Sequence, residues 1–209
     1  MNNNVYMIDY NSKSSLMNSN LPVRKYPRLF PIPNTVVNST KEFIIPAGME
    51  DFEIYPELFG IINKNNKVDY GVNFAIWTNQ LVNDCNNPTS RDIIVNTYYG
   101  YYWDGTKLVS PLNQMLKNND IRKYEVELNI LIKEKIEKYR FNMNKLLFSV
   151  EEVIKQMKRF IEFYEGDLIF LGRVEKGIFI NRNIHVNNLE IKLNIPEIIE
   201  RTILIKGCE

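Results

Sequence analysis

The chain has 209 residues, of which 44% are hydrophobic and 12% aromatic; this suffices for one well-packed domain and excludes an intrinsically disordered chain. Twenty-six basic and 25 acidic residues leave a net charge of +1, so no basic surface indicates binding to nucleic acid or to an anionic membrane. No apolar run approaches the roughly 20 residues of a membrane span. We therefore expect the protein to bind neither nucleic acid nor a membrane. Cys85 and Cys208 have no Cys-x-x-Cys or His-rich companion, which predicts reduced thiols and no structural zinc.

The N-terminal segment is rich in Asn and Ser and contains a short apolar patch, Val5–Ile8. We interpret residues 1–26 as a small N-terminal strand and a linker, and residues 27–209 as a single domain. The opening Met1–Asn4 lacks the basic and apolar regions of a signal peptide. We therefore expect a cytoplasmic protein.

From Phe43 onward, apolar and β-branched runs alternate with polar turns, a pattern typical of consecutive strands. Residues Asn63–Lys67 are predicted to form a hairpin turn between two of them. The strand candidates are Phe43–Ile45, Phe52–Ile62, Val68–Val82, Ile93–Tyr102, Val126–Ile132, Gly177–Asn181, Leu189–Ile195 and Thr202–Ile205.

A helix is predicted in the second half of the chain. Ser149 and Glu152, three residues apart, form a capping box, which is a helix start signal. Apolar residues then recur at helical spacing over 150–164, and Met157 and Phe160 are predicted to face the core.

Gly166 marks the end of that helix, and Asp167–Gly172 is predicted to be a short strand too apolar to face water. A convincing helix among so many strands predicts a mainly β architecture with one major packed helix, an α+β fold, and argues against a doubly wound sheet. The sequence has no internal repeat and no Gly-rich phosphate-binding loop.

The order of a capped helix, the step Gly166-Asp167 with its apolar run, and a later glycine resembles the fumarylacetoacetate hydrolase superfamily. Upstream, Pro27–Phe30 is similar to the domain opening of that family, Pro56–Ile62 to its metal-bearing strand, and Val126–Ile132 to its later hairpin. The resemblance covers roughly residues 27–207 and rests on pattern and order. It implies a roll or barrel of mixed β-sheet.

Enzymes of this superfamily hold Mg²⁺ or a similar cation with an E-x-E pair on one strand and an Asp on a following strand. Hard cations prefer oxygen ligands, and side chains two positions apart share one face of a strand. The matching triplet here is Tyr55-Pro56-Glu57, which retains Glu57. Tyr55 replaces the first carboxylate with a phenol, a poor Mg²⁺ ligand near neutral pH, and the resemblance places it in the substrate pocket.

Two registers compete for the third ligand. If Gln80 occupies the family's Asp position, it offers only a neutral oxygen and would contact the substrate. If Asp84 occupies it, the carboxylate is retained. The 20 positions from Asp84 to Asp104 favour Asp84, because the family places an aromatic-Asp-Gly step at about that distance. The resemblance therefore implies a site for Mg²⁺ or Mn²⁺ at Glu57 and Asp84 that binds the ion weakly or not at all.

The family's other functional groups are also changed. Its lysine falls at Tyr101, which can donate only a neutral hydrogen bond to a developing enolate. Its Gly-Thr-Pro turn, which holds a substrate carboxylate, becomes Gly172-Arg173 followed by valine, and Arg173 could bind an anion through its guanidinium fork. Trp103 would form an aromatic pocket wall. The only histidine, His185, falls outside the family's water-activating dyad, which is absent.

Each of these residues also has a simpler structural explanation. Glu57 and Asp84 would then be ordinary carboxylates at strand ends. Tyr101 and Trp103 would be packing residues of a sheet, and Arg173 would form a surface ion pair.

Three functions remain open. The first is a family-type enzyme that acts on a 2-oxo or β-dioxo acid by C–C hydrolysis, decarboxylation or dehydration through a metal-bound enolate. The second is a pseudoenzyme that serves as a binding or partner subunit, because several groups that act as a unit are lost. The third is a metal-free cyclase or isomerase with Tyr101 or Tyr55 as proton donor. We rank the enzyme first, and expect a small-molecule carboxylate ligand and a homodimer, for which the aromatic excess is suited.

Overall fold

The computed structural model describes residues 4–9, 11–14, 22–23, 25–38, 42–45, 51–64, 67–77, 107–108, 116, 121–132, 135–181, 188–195 and 199–207. Strands dominate these residues, and an α-helix, α1, spans Val150–Met157. The mainly β, α+β prediction is confirmed. The strands are β1 (Val5–Asp9), β2 (Arg28–Ile32), β3 (Val37–Asn38), β4 (Glu42–Ile45), β5 (Asp51–Ile62), β6 (Val68–Trp77), β7 (Lys107–Leu108), β8 (Glu125–Ile132), β9 (Lys135–Asn142), β10 (Leu168–Arg173), β11 (Ile178–Asn181), β12 (Asn188–Ile195) and β13 (Ile199–Gly207).

These strands form two sheets. The larger sheet has eight strands in the order β2-β1-β10-β5-β6-β7-β3, with β11 also paired to β5. The smaller sheet has five strands in the order β4-β13-β12-β8-β9. The larger sheet is mixed, because β1 runs parallel to β10 and antiparallel to β2. The N-terminal strand β1 is therefore an inner strand with hydrogen-bonded neighbours on both sides.

The central strand β5 is buried on both faces, which explains its long apolar run. Its even-numbered side chains, such as Leu58, join the main hydrophobic core, which also includes Leu128 of β8 and Val153 of α1. Its odd-numbered side chains Tyr55 and Phe59 join a second cluster with Val5 and Met7 of β1. Alternation with period two thus directs one strand into two cores.

The predicted hairpin between β5 and β6 is confirmed. The N–H of Asn63 donates to the carbonyl of Lys67 at 2.8 Å, and Ile62 lies opposite Val68 in the antiparallel pair. Strand β6 is described as far as Trp77; the rest of the candidate Val68–Val82 and the candidate at 93–102 lie outside the described residues.

Strand β9 was not predicted from the sequence. It pairs with β8 at the edge of the smaller sheet, and its apolar Ile136 is 62% exposed. Charged residues at Lys135, Glu137, Lys138 and Arg140 interrupt the apolar pattern of the strand. Such charges are common on edge strands, where they oppose further strand pairing.

The predicted helix is shorter in the structure, because α1 ends at Met157. Residues 161–164 alternate between half-buried and exposed, which is the periodicity of an extended segment. The prediction that Phe160 faces the core is wrong, since this side chain is 70% exposed; Met157 is half-buried. The chain leaves the helix through a turn, in which the N–H of Phe160 donates to the carbonyl of Met157 at 2.8 Å; farther on, the N–H of Tyr164 donates to Oδ2 of Asp167 at 2.9 Å.

The start of the helix agrees with the prediction. Ser149 Oγ accepts the N–H of Glu152 at 3.3 Å, and Glu152 Oε2 accepts the N–H of Ser149 at 2.7 Å. No helix in the described part of the chain has the length and apolar composition that a membrane span requires.

Candidate functional site

The described members of the predicted site gather on one face of the larger sheet, where β6, β5 and β10 lie side by side. Tyr55 and Glu57 project from β5 on its odd-numbered face, and each is 1% exposed. Arg173, the last residue of β10, lies directly opposite Glu57 in the strand register. Pairing of β5 with β10 therefore brings together three residues, of which the most distant two, Tyr55 and Arg173, are 118 positions apart in the chain.

Arg173 contacts two further residues of this face. Its Nη1 lies 3.1 Å from Oε2 of Glu53 on β5, and its guanidinium carbon lies 4.8 Å from the ring centroid of Trp77 on β6. Trp77 and Glu53 are themselves directly opposite in the β5–β6 pair. The side chain of Arg173 is 25% exposed, so the cation lies at the border between the buried face and solvent.

Glu53 was missed in the sequence prediction, which stopped at the triplet Tyr55-Pro56-Glu57. Glu53, Tyr55 and Glu57 share one face of β5 because they are spaced by two residues. The same alternation that identified Tyr55 and Glu57 extends one step upstream. A carboxylate in the interior of an apolar strand was the available signal, since buried acidic side chains require a partner.

Gly172 has a structural explanation of its own. The register of β10 on β5 shifts between Phe170 and Arg173, which marks a bulge, and Gly172 has φ +75°. A Cβ at this position would lie 2.6 Å from the carbonyl oxygen of Ile8 on β1. Glycine thus permits both the left-handed backbone and the close approach of β1, and the bulge re-aims Arg173. The role of Gly172 in holding a substrate stays a prediction.

A divalent cation fits this face only in part. Glu57 supplies one buried carboxylate, whereas Oε2 of Glu53 accepts hydrogen bonds from Arg173 and from the N–H of Gly177, the latter at 3.2 Å. The prediction that Tyr55 stands where the family has its first carboxylate rests on the sequence resemblance alone. Among the described residues, no group of three or more His, Cys, Asp and Glu side chains could hold a metal ion. A complete ligand set would need Asp84.

The remaining predicted residues lie outside the described part of the chain. They are Gln80, Asp84, Tyr101, Trp103 and His185. Their roles, and the choice of register between Gln80 and Asp84, stay predictions.

The fold and this face define a mixed-sheet protein with a buried carboxylate opposite an arginine on neighbouring strands. Residues 4–191 match the sequence profile of the family described as fumarylacetoacetate (FAA) hydrolase, C-terminal. The chain therefore belongs to the fumarylacetoacetate hydrolase family, which confirms the resemblance noted in the sequence. Direct comparison with curated protein sequences gives no match.

Solved structures of similar fold carry several activities in their names. Fumarylpyruvate hydrolase from Pseudomonas aeruginosa, in complex with Mn²⁺ and pyruvate, superposes with a TM-score of 0.68 at 18% identity, over 98% of this chain and 90% of that one. The 5-carboxymethyl-2-hydroxymuconate delta-isomerase from Mycobacterium smegmatis has a TM-score of 0.67 at 14% identity, with coverages of 99% and 79%. The apo form of 2-keto-3-deoxy-D-arabinonate dehydratase reaches 0.71 at 14% identity, with coverages of 99% and 73%. At these identities the likeness shows a shared fold.

Proposed function

We propose that the protein binds a small oxo acid at the face formed by β5, β6 and β10 and acts on it as an enzyme of its family. The supporting observation is the buried carboxylate of Glu57, directly opposite Arg173, whose cation reaches the edge of the buried face. Arg173 would bind the substrate carboxylate through its planar fork of N–H donors. The substrate is thus a small-molecule carboxylate.

The activities named for proteins of similar fold support an oxo-acid substrate and a divalent cation, because they include a hydrolase bound to Mn²⁺ and pyruvate, an isomerase and a dehydratase. The reaction proposed here is C–C hydrolysis, decarboxylation or dehydration of a 2-oxo or β-dioxo acid. Glu57 and Asp84 would hold Mg²⁺ or Mn²⁺ through hard oxygen donors. When bound, the cation would act as a Lewis acid toward the substrate oxygens.

The pocket around this acid would be lined by aromatic and amide side chains. Tyr55 and Trp103 would bound it, Gln80 would contact the substrate, and Tyr101 would donate a hydrogen bond to the reacting group. Tyr55 is already at the buried face beside Glu57.

We further propose that the protein is a cytoplasmic homodimer. Sedimentation equilibrium tests the dimer, and a monomer at every concentration would contradict it.

The first experiment is a calorimetric titration of the metal-stripped protein with Mg²⁺ and Mn²⁺. Saturable binding to the wild-type protein that is lost in Glu57→Gln would support the proposal, because this substitution keeps the shape of the side chain and removes its charge. The matched control is Glu165→Gln, on an exposed turn, which should bind as the wild type does. Absence of binding by the wild-type protein would refute the metal enzyme.

A second candidate is a catalytically degraded member of the family that serves as a binding or partner subunit. The observation in its favour is the burial of Tyr55, which packs into a cluster with Val5, Phe59 and Phe170. The sequence resemblance would align this residue with the family's first metal carboxylate. A phenol committed to a hydrophobic core leaves that position without a charged ligand. Binding of pyruvate without turnover of any 2-oxo or β-dioxo acid, in the presence of Mg²⁺, would favour this candidate. Turnover without any cation would instead favour a metal-free isomerase or cyclase.

A further inference from the structure

The side chain of Arg173 contacts residues of two other strands, β5 and β6. Its Nη1 lies 3.1 Å from Glu53 Oε2, and its guanidinium carbon lies 4.8 Å from the centroid of the Trp77 ring. Both neighbours come from strands other than β10. A guanidinium held at its edge by a carboxylate and on its face by an aromatic ring has little rotational freedom.

Glu53 is itself firmly placed. Its side chain is 11% exposed, and Oε2 also accepts the N–H of Gly177 at 3.2 Å. The backbone at Gly177 packs closely on β5: a Cβ there would lie 3.1 Å from the Cβ of Glu53 and 2.8 Å from the carbonyl oxygen of Ile54. Movement of the Glu53 carboxylate would therefore break the hydrogen bond to this turn and disturb its packing against β5.

We propose that Glu53 is a positioning residue, which fixes the guanidinium of Arg173 against Trp77 so that it is oriented for a carboxylate before the ligand arrives. This inference rests on the proposed function and extends it to the residue that prepares the anion-binding group. A free arginine side chain loses rotamer entropy when it is immobilised. Because Glu53 already holds the guanidinium of Arg173, this entropy is lost when the protein folds, and its loss does not weaken ligand binding.

The test uses pyruvate as the probe, titrated by calorimetry in the presence of Mg²⁺ into the full chain. We expect Glu53→Gln and Arg173→Lys each to raise the dissociation constant roughly tenfold, the size of effect given by one charge-assisted hydrogen bond. The double variant should bind no more weakly than Arg173→Lys alone, because Glu53 acts only through Arg173. The exposed control Glu165→Gln should match the wild type.

The outcomes separate the two proposals. If Arg173→Lys weakens pyruvate binding and Glu53→Gln does not, or if the two effects add fully in the double variant, the positioning role is overturned and the proposed function stands. If the wild-type protein does not bind pyruvate, the proposed function fails, and the positioning role is then decided by a measurement that needs no ligand.

That measurement is the fluorescence of Trp77. The chain has two tryptophans, so Trp103→Phe leaves Trp77 as the only indole. In this background, Glu53→Gln and Arg173→Lys should shift the Trp77 emission maximum in the same direction, because each removes the guanidinium from its position over the ring. An unchanged emission in Glu53→Gln would overturn the positioning role. If circular dichroism shows that Glu53→Gln does not fold, Glu53→Asp, which keeps the charge on a shorter side chain, is judged by the same criterion.

Discussion

Two buried carboxylates of this chain, Asp167 and Glu57, lie in different surroundings. Asp167 is 1% exposed, and its two oxygens accept backbone N–H groups of Asn4 at 2.8 Å and Tyr164 at 2.9 Å. It joins the start of β1 to the turn before β10 and thus has a structural role. Glu57 is equally buried but lies beside Tyr55 and opposite Arg173, on the face that carries the proposed site.

Asp167→Asn should lower the free energy of unfolding by about 1–3 kcal/mol, because the amide oxygen can accept only one of the two N–H groups and leaves the other without its partner. Chemical denaturation at pH 7 measures this change. The matched control is Asp69→Asn, whose exposed carboxylate accepts from Asn63 Nδ2 at 2.9 Å and should cost less than about 1 kcal/mol. Equal losses in both variants would contradict a structural role specific to Asp167.

Gly172→Ala should destabilise the protein, because the residue has φ +75° and a Cβ would lie 2.6 Å from the carbonyl oxygen of Ile8. The left-handed conformation alone costs a non-glycine residue about 1–2 kcal/mol, and the contact with rigid backbone adds to it. Chemical denaturation measures the loss. Comparison with Leu168→Ala, a half-buried position on the same strand, separates the backbone effect from a general weakening of β10. A variant as stable as the wild type would refute the steric requirement.

The amino-terminal end of helix α1 depends on Tyr70 of β6 as well as on its capping box. Tyr70 is fully buried; its hydroxyl accepts the N–H of Val150 at 3.1 Å and donates to Glu151. This contact attaches the first turn of the helix to the larger sheet. Burial, together with the hydrogen bond to Glu151, holds the pKa of Tyr70 well above its ordinary value of 10.0.

Tyr70→Phe should lower the free energy of unfolding at pH 7 by about 1–2 kcal/mol, because the N–H of Val150 loses its partner. The pKa of Tyr70 is higher in the folded state than in the unfolded one, so its contribution is complete below pH 10 and decreases as the pH rises beyond it. The wild-type protein should therefore lose stability more steeply than the variant above pH 10. Urea denaturation of both proteins between pH 7 and about 11 tests this, and parallel curves would contradict it.

At the scale of the whole molecule, the larger sheet depends on its first strand. β1 lies between β2 and β10, and it contributes Val5 and Met7 to one hydrophobic cluster and Ile8 to the main core. The family profile also begins near this strand, at residue 4. The sheet thus joins the start of the described chain to a distant strand: β1 pairs with a strand more than 150 positions downstream.

A chain that begins at residue 27 should fail to fold, because β2 and β10 would lose the strand that connects them and both cores would be opened. Circular dichroism and denaturation of the truncated chain measure this. Met7→Ala in the full chain should cost about 2–5 kcal/mol, whereas Val23→Ala, at a position that is 65% exposed, should change stability by less than about 0.5 kcal/mol. A truncated chain with native stability would support a domain boundary at residue 26.

The sequence by itself determined the local elements. Apolar and β-branched runs bounded by polar turns predicted β5, β8 and β12, and the Ser149–Glu152 spacing predicted the start of α1, because both signals depend on residues close together in the chain. The order of these elements was enough to identify the family. The two-residue spacing of Tyr55 and Glu57 in the sequence also placed them on one face of a strand.

The tertiary structure alone decided where α1 ends, because Phe163, in the extended segment beyond the helix, packs against the ring of Tyr6 on β1, a contact that the helical periodicity of the sequence does not indicate. It also decided that Phe160 is exposed and that β1 is an inner strand. The contact of Arg173 with Glu53 and Trp77 joins three strands whose pairing depends on long-range contacts. These contacts depend on the register between strands whose residues lie more than 90 positions apart in the chain. A local stretch of sequence does not specify that register.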